Sequence, residues 1–183
     1  MRCYSEAMPR FQSLPQIWLI SDARNDAQLE RALKRLPRGS GFIFRHYHLA
    51  PPARRTRFMG LQRLARGRGH CVVLAGDMAL ARRWGADGAY GLPHSIQRGP
   101  AGLRLATAHS LRELRLAARA DAVLLSPVYA TRSHPGGAVL GAVQFQLLAA
   151  QSPVPVIALG GMTGHRARGL KWQRWAGIDA FLR

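Results

Sequence analysis

The sequence predicts an α/β fold, a compact (β/α)8 TIM barrel lacking its final helix. Three observations predict it. Short apolar runs alternate with amphipathic, Arg-rich stretches along the 183 residues. Eight apolar runs with seven intervening helical connections can be placed, at spacings that suit parallel strands and crossover helices. No GxGxxG follows the first run, which argues against an open dinucleotide-binding sheet.

Residues 1–14 read as an N-terminal tail and residues 15–183 as a single domain. Ile17-Trp-Leu-Ile20 is the first strand. Asp26 to Leu36 sets Leu29, Leu33 and Leu36 at helical spacing, and Pro37-Arg-Gly39 ends that helix. Gly41-Phe-Ile-Phe44 is the second strand. Pro51-Pro52 opens a helix with Phe58, Leu61, Leu64 and Ala65 on one face, closed by Gly67 and Gly69. Cys71-Val-Val-Leu-Ala75 is the third strand, and a helix runs from about Asp77 to Trp84. Asp87-Gly-Ala-Tyr90 is a brief fourth strand, and the Pro- and Gly-rich 91–102 leaves room for one helical turn. Leu103-Arg-Leu-Ala-Thr107 is the fifth, and Ser110 caps a helix reaching Arg119, with Glu113 completing a capping box. Val123-Leu-Leu125 is the sixth, followed by a long Gly/Pro/Ser loop over 126–140 and a helix from Gln144 to Ala150. Val154-Pro-Val-Ile-Ala158 is the seventh, then Gly160-Gly161 and a helix carrying Trp172 and Trp175. Ile178 to Leu182 is the eighth.

Hydrophobic residues make up 48% of the chain, a fraction that excludes a disordered protein. A chain of this length buries roughly 70% of its unfolded surface, so it needs no disulfide or metal staple. Cys3 and Cys71 form no framework, no apolar stretch is long enough for a membrane span, and residues 1–10 lack a signal-peptide core. The expected location is cytoplasmic. The net charge is +18, and 25 of the 27 basic residues are Arg, with Lys only at 34 and 171. Two readings stand: a polyanionic partner or phosphorylated ligand, or a coding bias toward Arg spread along the chain. A basic nucleic-acid-binding module is the alternative of another class, but no nucleic-acid motif or stacking platform accompanies the charge.

In a barrel of this kind the active site lies at the C-terminal strand ends. That rule gathers Ser21-Asp22, Arg45, Ala75-Gly-Asp77, Tyr90, Thr107-Ala-His109, Ser126 to Gly137 and Gly160-Gly161 around one mouth. The 126–137 loop carries hydroxyls at Ser126, Thr131 and Ser133 and cationic or donor groups at Arg132 and His134, a chemistry suited to phosphate or pyrophosphate. Gly160-Gly161 lets an anion approach the following helix, or makes a tight turn. His109 is a candidate acid/base, or a helix-entry His bonded to backbone. Asp22 and Asp77 are candidate Mg²⁺ ligands or helix N-caps. Arg45 ends an apolar strand and points to an anionic ligand. The neighbouring His46 and His48 show no metal-ligand spacing.

Several segments in order resemble the thiamine phosphate synthase family, including its thiazole tautomerase branch. The carriers are Ile17-Trp-Leu-Ile-Ser-Asp22, Trp84-Gly-Ala-Asp-Gly-Ala-Tyr-Gly91, Ala106-Thr-Ala-His-Ser-Leu-Arg-Glu113, Ala120 through Pro135, Gly141, and Pro155-Val-Ile-Ala-Leu-Gly-Gly-Met162. The resemblance implies a (β/α)8 barrel and a transferase of thiamine biosynthesis. Its reaction joins an aminopyrimidine diphosphate to a thiazole phosphate, releasing pyrophosphate with Mg²⁺. By position, Thr131, Ser133 and His134 would contact pyrophosphate or phosphate, and Gly160 and Gly161 would grip the thiazole phosphate. The family's Gln-x-Arg-x-Lys run is here Ile43-Phe-Arg-His-Tyr47, which keeps Arg45. Its Asn-Asp-Arg is Ala75-Gly-Asp77, its second metal Asp falls near Ser95, its loop Lys is His134, and the tautomerase His aligns with Pro127. The missing last helix leaves strand eight in need of cover, from residues 1–14 or from a second copy in a homodimer.

Overall fold

The computed structural model describes residues 14–132 and 136–182. Within them eight parallel strands close into a barrel in chain order. The strands are β1 Ile17–Ile20, β2 Gly41–Phe44, β3 Cys71–Ala75, β4 Gly88–Gly91, β5 Leu103–Ala108, β6 Ala122–Leu125, β7 Val156–Ala158 and β8 Trp175–Gly177. Closure pairs β8 with β1, Ile17 opposite Trp175 and Leu19 opposite Gly177. A 3-10 helix, Ala23–Gln28, leads into α1 Leu29–Arg35. The remaining helices are α2 Pro51–Gly67, α3 Met78–Trp84, α4 Pro93–Ile96, α5 Leu111–Leu116, α6 Gly141–Ala150 and α7 Gly164–Gly169.

Strand alternation splits the apolar residues into two shells. One face of each strand fills the barrel: Trp18, Ile20, Ile43, Val73, Leu105, Leu124, Ile157 and Ala176 are buried together there. The other face packs under the helices, where Leu19, Phe42, Phe44, Leu74, Val123 and Leu125 meet Leu33, Phe58, Leu61, Leu114 and Phe145. Trp18 sets the neck of the barrel. Its indole N–H donates to the Pro15 carbonyl at 2.8 Å, and its ring occupies the space that a Cβ on Gly41 would need, at 2.0 Å.

Two helix starts follow the local chemistry of the sequence. Asp77 caps α3, accepting from Leu80 N at 2.7 Å, and Ser110 caps α5, accepting from Glu113 N at 3.3 Å. Glu113 departs from the expected capping box: its carboxylate accepts from His109 N at 2.7 Å, one residue before the cap.

The C-terminal quarter corrects the sequence reading. The eighth strand is Trp175–Gly177, ahead of the expected 178–182, and α7 ends at Gly169. Trp172 and Trp175 stand three apart, which imitates a helix. Trp172 instead donates its indole N–H to Val156 O at 3.1 Å from beyond α7, while Trp175 N donates to Gln16 O at 2.9 Å and enters the barrel. β7 begins at Val156 because Pro155 has no N–H to donate to a ladder; its carbonyl accepts from Val123 N at 2.9 Å. The expected helix at Gln144 starts earlier, at Gly141, and α5 stops at Leu116, short of Arg119. The tail call lies outside the described residues up to residue 13, as do Cys3, Ser133 and His134.

Candidate functional site

The mouth has two differently built sides. On the β1–β3 side, side chains do the building. Ser21, at the end of β1, is fully buried, and so in effect is His46, which follows β2. His46 takes a left-handed backbone conformation, φ +39°, that turns its ring back over the strand ends. Its Nδ1 lies 2.7 Å from Ser21 Oγ and its Nε2 2.6 Å from Asp26 Oδ1. The carboxylate only accepts, so Nε2 carries the proton and Nδ1 accepts from the Ser21 hydroxyl. Ser21 Oγ in turn accepts from Arg45 N at 2.8 Å. Arg57 of α2 ties the outer end, donating from Nε to Asp26 at 2.8 Å and pairing with Glu30. Burial pushes Asp26 up, but hydrogen bonds from His46 and Arg57 outweigh it and hold the carboxyl below its ordinary value. Burial holds His46 below the ordinary imidazole value despite Asp26.

This chain of bonds fixes the backbone of Arg45, whose half-buried guanidinium has no carboxylate partner among the described residues and lies 5.8 Å over the Tyr47 ring. Arg54 of α2 backs it. Its Nε donates to Arg45 O at 2.9 Å and its Nη2 to Ala75 O at 2.7 Å, so one guanidinium links the ends of β2 and β3. The faces of Tyr47, Trp84 and Phe44 surround it at 5.3, 5.4 and 5.8 Å. Tyr90, at the β4 end, is buried, and burial pushes its phenol up to about 12, so it stays a neutral hydroxyl.

On the β5–β7 side, backbone does the building. Val128 N donates to Leu159 O at 2.9 Å and Tyr129 N to Gly160 O at 3.0 Å, which zips the loop after β6 onto the turn after β7. Gly160 and Gly161 both have positive φ, +95° and +61°. A Cβ on Gly160 would stand 2.6 Å from Pro127 Cα, and one on Gly161 2.4 Å from Ala130 O. The amide N–H groups of Gly160, Gly161 and Met162 meet no protein acceptor among the described residues. Arg166 lies 4.9 Å over the Tyr129 ring and donates to Gly161 O. Thr131 is half-buried and Arg132 exposed on the same loop. Ser126 is buried at the β6 end, and His109 Nδ1 donates to its carbonyl at 2.8 Å. That bond sets the Nδ1–H tautomer and leaves Nε2 of the exposed His109 as the accepting nitrogen.

The family model for thiamine monophosphate synthase matches residues 17–180, which is nearly all of the barrel. The chain belongs to that family. Among solved structures it is similar to the thiamine phosphate pyrophosphorylase of Pyrococcus furiosus (TM-score 0.75, 20% identity, 90% of this chain and 86% of that one). A second thiamine phosphate pyrophosphorylase, from Bacteroides thetaiotaomicron, aligns with TM-score 0.60 at 13% identity, over 91% of this chain and 84% of that one. The citrate synthase SbnG aligns with TM-score 0.60 at 10% identity, over 91% and 86%. At such identities these likenesses show a shared barrel. No curated protein sequence matches the chain.

Membership in the thiamine monophosphate synthase family implies Mg²⁺, and the residues do not fit it. Asp22 and Asp77 each do the work of a helix cap. Asp22 also accepts from Arg24 Nε at 2.8 Å; burial raises its carboxyl, but the Arg24 bonds and the Arg24 and Arg45 charges hold it low. The two carboxylates follow β1 and β3, with β2 and its Arg45 between them in strand order. Among the described residues no group of three or more His, Cys, Asp or Glu side chains converges. Among the described residues no helix is long and apolar enough to cross a membrane.

Asp26, His46, Arg54 and Arg57 escaped the sequence reading as site residues. A signal for one was present: Arg54 stands four before Phe58 and seven before Leu61, on the apolar stripe of α2 itself.

Proposed function

We propose that the barrel binds phosphorylated ligands at both sides of its mouth and joins an aminopyrimidine diphosphate to a thiazole phosphate. One observation carries the reading: the Gly160–Gly161 turn presents unpartnered amides where the loop with Thr131 and Arg132 folds over it. Successive free N–H groups form a cradle for a phosphate, and only glycine fits at these two positions. The diphosphate would face Arg45 across the mouth. In the reaction the pyrimidine methylene C–O bond breaks, pyrophosphate leaves with the bonding pair, and the thiazole nitrogen supplies the pair for the new C–N bond. A guanidinium aimed at the departing oxygens stabilises that charge. Arg45, His109, Ser133 and His134 are the residues we assign to this step. Ser126, Thr131, Arg132, Gly160 and Gly161 join Ser133 and His134 in holding the phosphorylated groups.

The test is an assay of the purified chain with both substrates, following pyrophosphate and thiamine phosphate. Equal release of the two products supports the proposal. Binding of thiazole phosphate without turnover would reduce it to a ligand-binding barrel. Neither binding nor turnover would overturn it. We further propose a homodimer built on α6: Val143 and Leu147 are 73% and 62% exposed, and no charged side chain occurs between Gly136 and Gly164. A neutral face spares a chain of net charge +18 the like-charge repulsion that its basic faces would meet on pairing. L147K should shift its mass in solution from dimer to monomer; a monomeric parent would refute the assembly.

A further inference from the structure

We propose that the open end of β2 and β3 is a metal-independent anion site, in which Arg45, backed by Arg54, takes a diphosphate-class ligand without a divalent cation. The inference rests on the ligand class proposed above and adds how its charge is met. Four observations carry it. Arg45 and Arg54 are both half-buried, and neither pairs with a carboxylate among the described residues. Arg54 is held by two carbonyls and three aromatic rings, so its position is fixed before any ligand arrives. Its guanidinium bridges the ends of β2 and β3, between the caps at Asp22 and Asp77. The backbone of Arg45 is fixed through Ser21 by the buried His46, which Asp26 holds from its outer side.

A cation shared by Asp22 and Asp77 would have to stand beside these guanidinium groups, where like charge opposes it. Mg²⁺ also demands near-octahedral oxygen ligands, and both carboxylates already accept backbone or Arg24 bonds. An anion meets the opposite condition: the planar fork of N–H donors on Arg45 is in no ion pair among the described residues, and it feels the Asp22 carboxylate only as a neighbouring charge. The Arg54 charge, with no acid to neutralise it, adds attraction over the same opening.

The experiment is calorimetric titration of the full chain with inorganic pyrophosphate, once in EDTA and once in excess Mg²⁺. Saturable binding in EDTA is expected, weakened or changed less than twofold by Mg²⁺. R45Q should weaken the EDTA binding tenfold or more, while R63Q, at an exposed position of α2, should change it less than twofold. Binding that appears only with Mg²⁺ overturns the inference and leaves the family reading standing. Equal weakening by R45Q and R63Q also overturns it, by showing diffuse attraction to a basic surface. Thiazole phosphate binding without pyrophosphate binding under either condition sinks this site alone; loss of both sinks the function it rests on.

Discussion

The two sides of the mouth are built by opposite means. The β5–β7 side offers main-chain amides on a pair of glycines, shaped by steric contact with the loop after β6. The β1–β3 side offers two guanidinium groups, Arg54 held by carbonyls and aromatic rings and Arg45 by a hydrogen-bond chain through Ser21, His46, Asp26 and Arg57. A backbone cradle is specified by few residues and tolerates little change at them. A side-chain platform is specified by many residues, and each can be altered singly. The difference teaches that, on the proposed function, phosphate shape and diphosphate charge would be handled by separate machinery, so the two should fail separately.

The largest effect is expected on the backbone side. Gly160→Ala drives a Cβ to 2.6 Å from Pro127 Cα at φ +95°, where neither backbone can yield cheaply. We expect a loss of roughly 3–5 kcal/mol. Thermal unfolding should fall by about 6–20 °C, with thiazole phosphate binding lost at temperatures where the fold persists. A variant with parental melting and binding would show that this side is not sterically built at all.

On the other side, His46→Ala removes a ring stacked on Phe44 at 4.6 Å, takes the acceptor from the buried Ser21 hydroxyl and leaves Asp26 to Arg57 alone. The expected cost is about 2–4 kcal/mol, from lost packing and unpaired buried groups. Pyrophosphate affinity should drop as Arg45 loses its anchor, while thiazole phosphate affinity stays within twofold. If both affinities fall together, the two sides are coupled and the comparison breaks.

Acid offers a sharper test of the same chain. The folded value of His46 lies below its ordinary 6.5, so the folded state binds fewer protons than the unfolded one near that pH. The contribution is complete above pH 6.5 and is lost as pH falls toward the folded value. His70 behaves alike, held low by burial while its Nε2 donates to Leu33 O. Urea midpoints should therefore decline on going from neutral toward acid pH, and His46→Asn should reduce that slope. An unchanged slope would place the acid sensitivity outside His46, in His70 and the lowered carboxyls.

How far the sequence could be read follows the same division. Strands β1, β2 and β3 announce themselves as apolar runs bounded by turn residues, and the glycine pair after β7 declares a special backbone. Asp77 and Ser110 are legible as caps because capping is local. The eighth strand is displaced because the Trp172–Trp175 spacing mimics a helix until closure onto β1 claims Trp175. The His46–Asp26 pair is invisible because it joins residues 20 apart whose meeting depends on barrel curvature and on a left-handed His. Arg54 is legible only as an Arg on the apolar stripe of α2, and its role at the strand ends appears with its carbonyl and aromatic surroundings. Asp22 and Asp77 read from their strand-end positions as Mg²⁺ ligands or helix caps, and in the structure both are caps, with the Arg54 bridge beside them.

The smallest effect separates stability from function on α2, the helix that supplies Arg54 and Arg57. Gly60 lies in its exposed middle, and a Cβ there meets nothing within 4 Å. Replacing it with Ala removes backbone freedom from the unfolded chain and restores helix propensity, worth about 0.5–1 kcal/mol. G60A should melt roughly 1–4 °C higher, with pyrophosphate and thiazole phosphate affinities unchanged. If stiffening α2 instead alters pyrophosphate affinity alone, then Arg54 moves with its helix on binding, and the β1–β3 side is a responsive platform in contrast to the fixed glycine cradle across the mouth.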